Sequence, residues 1–227
     1  MTANHELLNP QDHRHLRLRR RGDADPHFVQ IVVSEFAAAA ASCPILFSKD
    51  PSTGEFYAGA MLAFKPGEPA LKSVEERGGF DPLHLQRDGF FISGERIAID
   101  RRNPRFSETE GELLFDEAQQ PSVCLRRIQR ALGQLHDGVE QTKALIAVLM
   151  GLKLVEPIDI SLGFDDGERL RLQGLYTVSQ DALRDLDDAD VLRLFRNGHL
   201  QPAYTIAGSL NQLPVIAQLR NQRVACG

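Results

Sequence analysis

The sequence predicts an α+β fold, and three observations carry that expectation. Short β-type runs separated by turn residues fill the first half, one long apolar stripe with helical spacing occupies the middle, and a period-two pair precedes several capped helix signals at the end. One domain over residues 1–227 is expected, with a β-rich sub-part at 1–117 and a helix, hairpin and helical cluster at 118–227.

Leu16 and Leu18 alternate with Arg17 and Arg19 inside a basic run, Arg14 to Arg21, closed by Gly22 and Asp23. That pattern predicts a solvated edge strand, whose charge discourages pairing with other strands. Phe28 to Val33 follows as a second strand, and Ser34 is placed to cap an alanine helix, Glu35 to Ser42, that stops before Pro44. Ile45 to Ser48 and Phe56 to Phe64 read as two strands joined by Lys49-Asp50-Pro51-Ser52-Thr53-Gly54, a connection dense in turn residues. Pro66, Gly67, Pro69, Gly78, Gly79 and Pro82 break the chain before two short strands at Phe90 to Ile92 and Arg96 to Ile99. Pro104 to Glu117, rich in acids, is expected to be an exposed loop.

Leu125, Ile128, Leu132, Leu135, Val139, Thr142, Ile146 and Leu149 recur at alternating steps of three and four, which predicts a helix from about Ser122 to Leu152. At ~1.5 Å per residue such a helix spans roughly 45 Å, well beyond the usual ~11–12 residues. Ala144 to Met150 is apolar at every position, which predicts burial on all sides, while Arg126, Arg127 and Arg130 keep the other end wet. Ile158, Ile160, Leu162 and Phe164 then alternate with polar residues, Asp165-Asp166-Gly167 turns, and Leu170 and Leu172 resume, the strongest hairpin signal in the chain. Ser179 and Asp187 or Asp188 are helix caps, Gly198 closes the second helix, and a third begins near Pro202 and meets Pro214.

A formal net charge of -5 argues against a general nucleic-acid binder, which shows a basic face. Cys43, Cys124 and Cys226 are odd in number and contain no CxxC pair, so a reducing compartment fits best. Met1 to Arg21 lacks the apolar centre of a signal peptide, and no membrane-length apolar run occurs. A cytoplasmic protein without membrane insertion is expected, with a homo-oligomer left open.

Candidate chemistry is sparse. His13 and His15, placed on a strand, would send both imidazoles to one face and offer two ligands to iron or zinc, and the metal-enzyme alternative takes His13 or His15 with His136 and a carboxylate from Glu108 to Asp116, such as Glu110 or Glu112. His136 and Glu140 sit one helical turn apart, a spacing that suits a general base. Gly133 and Gly138 each cost ~1 kcal/mol relative to alanine inside a helix, so each asks for a reason: close packing by another element, or a ligand approaching the backbone. The interval Gly133 to Glu140 is therefore the expected place for a ligand or partner. No GxGxxG, P-loop, GxSxG or HExxH motif is present, and no cofactor is predicted outside the iron alternative.

Several segments together resemble a known family. They are Leu8-Asn9-Pro10 with His13-Arg14 and Leu16-Arg17, Pro44 through Asp50, Glu108 with Gly111 through Asp116, Leu135-His136-Asp137-Gly138, Glu156-Pro157, and Gly174 through Thr177. In this order they are similar to the SapC-like proteins, nearly end to end. One departure is Gln86-Arg87-Asp88-Gly89-Phe90, where the family tends to show two arginines followed by Pro-Phe; Arg87 stands at that place as a candidate partner-binding residue. The resemblance implies a bacterial protein associated with flavin-dependent halogenase-like proteins, cupin-like oxygenases and TonB-dependent receptors, and it carries over no catalytic residue. The leading expectation is a non-catalytic adaptor for another protein of its locus; the alternatives are a metal-dependent oxygenase acting on a peptide or protein, and a small-ligand sensor with a pocket beside Gly133 and Gly138.

Overall fold

The computed structural model describes residues 5–22, 25–68 and 70–226, so Asp23 and Pro69 lie outside the described residues, as does the side chain of Cys226. In chain order the elements are β1 (His5–Leu7), β2 (Arg17–Leu18), β3 (Phe28–Gln30), a 3-10 turn (Val33–Glu35), α1 (Phe36–Ala40), β4 (Ile45–Lys49), β5 (Phe56–Met61) and α2 (Leu83–Gln86). There follow β6 (Phe90–Ser93), β7 (Arg96–Asp100), β8 (Phe106–Ser107), β9 (Glu112–Leu113), α3 (Val123–Gly151), β10 (Val155–Gly163), β11 (Arg169–Val178), α4 (Gln180–Arg184), α5 (Asp188–Arg196), α6 (Leu200–Ser209) and α7 (Gln212–Cys226). The fold is α+β, with a long central helix. Two compact units share the chain, residues 1–24 with 83–137 and residues 25–82 with 138–227, and α3 contributes to both.

The first unit holds two three-stranded sheets, ordered β1-β7-β6 and β8-β2-β9. Their core joins Leu16, Leu18, Phe90, Ile99, Phe106 and Leu114 to Leu125, Ile128 and Leu132 of α3. Two expectations are corrected here. β2 is a middle strand, with Arg17 opposite Ser107 on one side and Leu113 on the other, so the arginine run does not guard an edge. The acidic segment 104–117 is not merely a loop, because it supplies both flanking strands. Gly111 turns between them at φ +101, and a Cβ there would lie 2.3 Å from the Leu18 carbonyl oxygen, so only glycine fits.

The second unit is built on a five-stranded sheet ordered β10-β11-β4-β5-β3. Leu46, Phe64, Ile160, Phe164 and Ile216 form its core. Arg220 of α7 is buried beside this core, paired with Glu68 at 3.2 Å and Glu168 at 2.5 Å and stacked over Phe164 at 3.8 Å. The hairpin β10-β11 turns at Gly167, φ +84, as its Asp-Asp-Gly signal predicts, and carries a bulge between Ile158 and Ile160.

Helix ends follow local chemistry. The Ser122 hydroxyl accepts from the Leu125 N–H at 3.2 Å and starts α3; Lys153, at φ 56, ends it, with the Leu154 N–H returning to the Leu149 carbonyl at 2.9 Å. Ser179 and Asp187 cap α4 and α5 through the Ala182 and Asp190 amides. Ser34 is not a cap, because the chain first makes the 3-10 turn: the Glu35 carboxylate accepts from the Val32 N–H at 2.9 Å, and the Val33 N–H goes to Thr142. The helix begun near Pro202 is two helices, α6 and α7, with Pro214 in the first turn of α7, where a missing N–H costs no bond.

The end of α3 is also corrected. Leu145, Ile146 and Leu149 are buried, but Ala144, Ala147 and Met150 are exposed, so this stretch keeps a wet face. Alanine is common there because it is the best helix former, and its apolar character does not require burial. Among the described residues no helix is long and apolar enough to cross a membrane.

Candidate functional site

A groove of about 370 Å³ opens in the second unit and is a candidate site. Its volume falls in the range typical of small-molecule pockets, ~300–1,000 Å³. One wall is the edge strand β3 and the start of β5, with Phe28, Gln30, Phe56 and Tyr57; the opposite wall is Val139, Thr142, Lys143 and Ile146 of α3; the rim is Asp50, Pro51, Thr53 and Glu55.

Each wall has a local cause. Gln30 pairs with Gly59, and the Phe28 ring fills the place of the missing side chain, 2.3 Å from where a Cβ would stand. Phe28 and Tyr57 meet edge to face at 6.1 Å, while Phe56 packs against Tyr176 at 4.8 Å with Lys49 over its ring at 4.9 Å. On the helix side Gly138 lets Val32 approach so closely that a Cβ would meet Val32 Cγ2 at 2.7 Å. Thr142 then fixes the approach: its hydroxyl accepts from the Val33 N–H at 2.8 Å and donates to the Gly138 carbonyl at 2.6 Å. That hydroxyl is fully engaged in structure.

The rim carries the charge. Asp50 Oδ1 accepts from the Ser52 N–H at 2.8 Å, the Ser52 hydroxyl at 2.5 Å and the Thr53 N–H at 3.1 Å. The Ser52 hydroxyl, followed by the two backbone amides, holds the carboxyl below the usual aspartate range. The loop is closed behind it by Asp50 N–H to Glu55 O at 2.9 Å and Gly54 N–H to Asp50 O at 2.8 Å. Lys143 Nζ pairs with Glu55 at 3.3 Å and lies 3.9 Å from Glu140.

The residues singled out in the sequence do not gather at one place. Gly138 is buried under Val32, whereas Gly133 and His136 are exposed, with nothing within 4 Å of the position a Gly133 Cβ would take. Glu140 is exposed and turned toward Lys143. The two N-terminal histidines are not on a strand and do not share a face. His13 is buried in a turn capped by the Asn9 side chain, its Nδ1 by the Asn9 backbone at 3.2 Å and its Nε2 by Glu6 at 3.1 Å, while His15 is exposed. Glu110 pairs with Arg19 at 3.1 Å, and Glu112 is exposed on β9. An iron site with two imidazoles and a carboxylate on one side is not formed by these donors, and among the described residues no group of three or more His, Cys, Asp or Glu is placed to hold a metal ion.

Arg87 belongs to a separate arrangement in the first unit. Its Nη2 donates to His84 Nδ1 at 3.2 Å, and its guanidinium lies 5.5 Å over Phe91, whose other neighbour, the His5 ring, stacks at 4.1 Å. Burial, then the Arg87 charge, lowers His84 to about 4, so the imidazole is neutral and free to accept from arginine.

Sequence reasoning missed the groove itself, although the interval it favoured ends where the groove begins. Asp50 reads as a turn residue, and Glu55 and Lys143 carry no signal of their own; their convergence depends on β3 lying alongside α3.

The family model described as SapC matches residues 8–215 of the chain. No curated protein and no solved structure matches it.

Proposed function

The chain belongs to the SapC family, and we propose that it is a non-catalytic accessory protein that binds another protein of its own locus. The partner classes are the ones the family resemblance implies: a flavin-dependent halogenase-like protein, a cupin-like protein or a TonB-dependent uptake component. The observation that supports this is on α5, where Phe195 is 68% exposed and Leu192 45% exposed, three residues apart on one helix face. Large aromatic and aliphatic side chains left wet together mark protein-binding surfaces more often than single exposed ones do. Direct binding of the purified neighbouring gene products is the test. One of them is expected to bind the full chain at micromolar concentration, and L192D/F195D to abolish that binding while the melting temperature stays within a few degrees. A wild-type chain that binds none of them overturns the proposal.

A second reading, small-ligand sensing, is favoured by the groove between β3 and α3. Its mixture of aromatic walls and a few placed polar groups is the usual composition of a small-molecule site.

A further inference from the structure

We infer that the groove beside Asp50 takes a small organic ammonium ion with an aromatic or other flat apolar body; this rests on the small-ligand reading. Three independent features of the groove point to that class.

The first is charge. Asp50 and Glu55 line the groove with Lys143 as the only basic side chain among its lining residues. Lys143 is already paired with Glu55 at 3.3 Å. What remains among the lining residues is one carboxylate, Asp50.

The second is the state of that carboxylate. Three hydrogen bonds from Ser52 and Thr53 fall on Oδ1, and a carboxylate offers about four acceptor sites over its two oxygens. The loop therefore holds Asp50 in one orientation with an acceptor to spare. A pre-oriented acceptor binds a cation without first losing side-chain entropy.

The third is the wall. Phe28, Phe56 and Tyr57 are among the lining residues with Asp50, and aromatic faces attract ammonium groups as well as flat apolar bodies. Phe56 shows the same pairing in the protein's own side chains, with the Lys49 ammonium 4.9 Å from its ring centroid. Size fits as well, since a cavity of ~150 Å³ already holds benzene and this one is about 370 Å³. Among the lining residues an anionic ligand meets Asp50 and Glu55, and the one lining cation, Lys143, is paired with Glu55.

The test titrates the full chain with three molecules of one shape: 2-phenylethylammonium, 3-phenylpropionate and 2-phenylethanol, read by calorimetry and by melting temperature. The cation is expected to bind and the anion not to. Asp50→Asn keeps the Oδ1 acceptor that organises the loop and removes only the charge; it is expected to weaken the cation about fivefold, the size of a solvent-exposed ion pair, and to leave the alcohol unchanged. Val139→Trp, checked for an unchanged circular dichroism spectrum, fills the groove and is expected to abolish binding. If the anion or the alcohol binds wild type as tightly as the cation, or Asp50→Asn leaves the cation's affinity intact, the ammonium assignment is wrong while a ligand groove stands. If no member of the series binds, or Val139→Trp binds the cation as wild type does, the groove itself is not the site and both readings fall.

Discussion

The two halves of α3 serve different compact units and are held in different ways. In 123–137 the buried face is Cys124, Leu125, Ile128, Ala131, Leu132 and Leu135, with no buried polar side chain. In 138–151 the buried face holds Leu145, Ile146 and Leu149, but also Gly138 under Val32 and Thr142 bonded to the Val33 amide. Apolar packing tolerates a change of shape if volume is kept, whereas a close backbone approach fixed by one hydroxyl does not. The first half should therefore respond to lost volume, and the second to lost geometry.

The largest expected effect tests the apolar half. Ile128 is fully buried, and Ile128→Ala should cost about 3 kcal/mol in urea unfolding, with Ile128→Val near 1 kcal/mol. Thr142→Val keeps volume yet leaves the Val33 N–H without its acceptor, and should cost about 2 kcal/mol. Thr142→Ser, which retains the hydroxyl, should recover most of that. If Thr142→Val proves harmless, the distinction between the halves collapses.

Charge extends the contrast from the helix to the units. In the first, His84 is lowered to about 4, by burial and then by Arg87. A histidine near 6.5 in the unfolded chain takes up its proton first as pH falls, so stability is complete above about 6.5 and is lost between there and about 4. In the second, Glu168 is held below its usual range by Lys65 and then Arg220, so its contribution is lost only at lower pH. His27 of the second unit is also lowered by burial, so acidification below about 6.5 weakens both units, the first by on the order of 1–2 kcal/mol for His84. His84→Gln, which can still accept from Arg87, should flatten stability between pH 4 and 6.5; an unchanged pH profile would remove His84 as the cause.

What the sequence makes legible follows from the length over which a signal repeats. The stripe of α3 and the alternation of β10 and β11 repeat many times, and the caps at Ser122, Ser179 and Asp187 are local, so these elements are found where they are expected. A two-residue ladder has no period to detect. β2, β8 and β9 are defined by partners far along the chain, which is why Arg17 looks like an edge residue and is central. The groove fails for the same reason: Asp50 is visible as a turn former and Thr142 as a polar break in the stripe, but only the passage of β3 and Val32 past Gly138 brings both beside one space.

Gly133 and Gly138 of α3 give the smallest and cleanest version of the contrast, since the same substitution should change sign between them. Relative to glycine, alanine gains up to ~1 kcal/mol of helix propensity at either position. At Gly133 nothing lies within 4 Å of the new Cβ, so Gly133→Ala should realise most of that gain, about 0.5–1 kcal/mol in stability. At Gly138 the Cβ meets Val32 atoms at 2.7 and 2.8 Å, and relieving that clash, at ~1–3 kcal/mol, outweighs the propensity gain. Gly138→Ala should therefore be destabilising by about 1 kcal/mol net. Combining it with Val32→Ala removes the methyls at 2.7 and 3.1 Å but keeps the Val32 Cβ at 2.8 Å, so it should lessen the cost of the glycine substitution without abolishing it. A stabilising Gly138→Ala would mean that Val32 yields freely, and that the tight half of the helix is as adaptable as the apolar one.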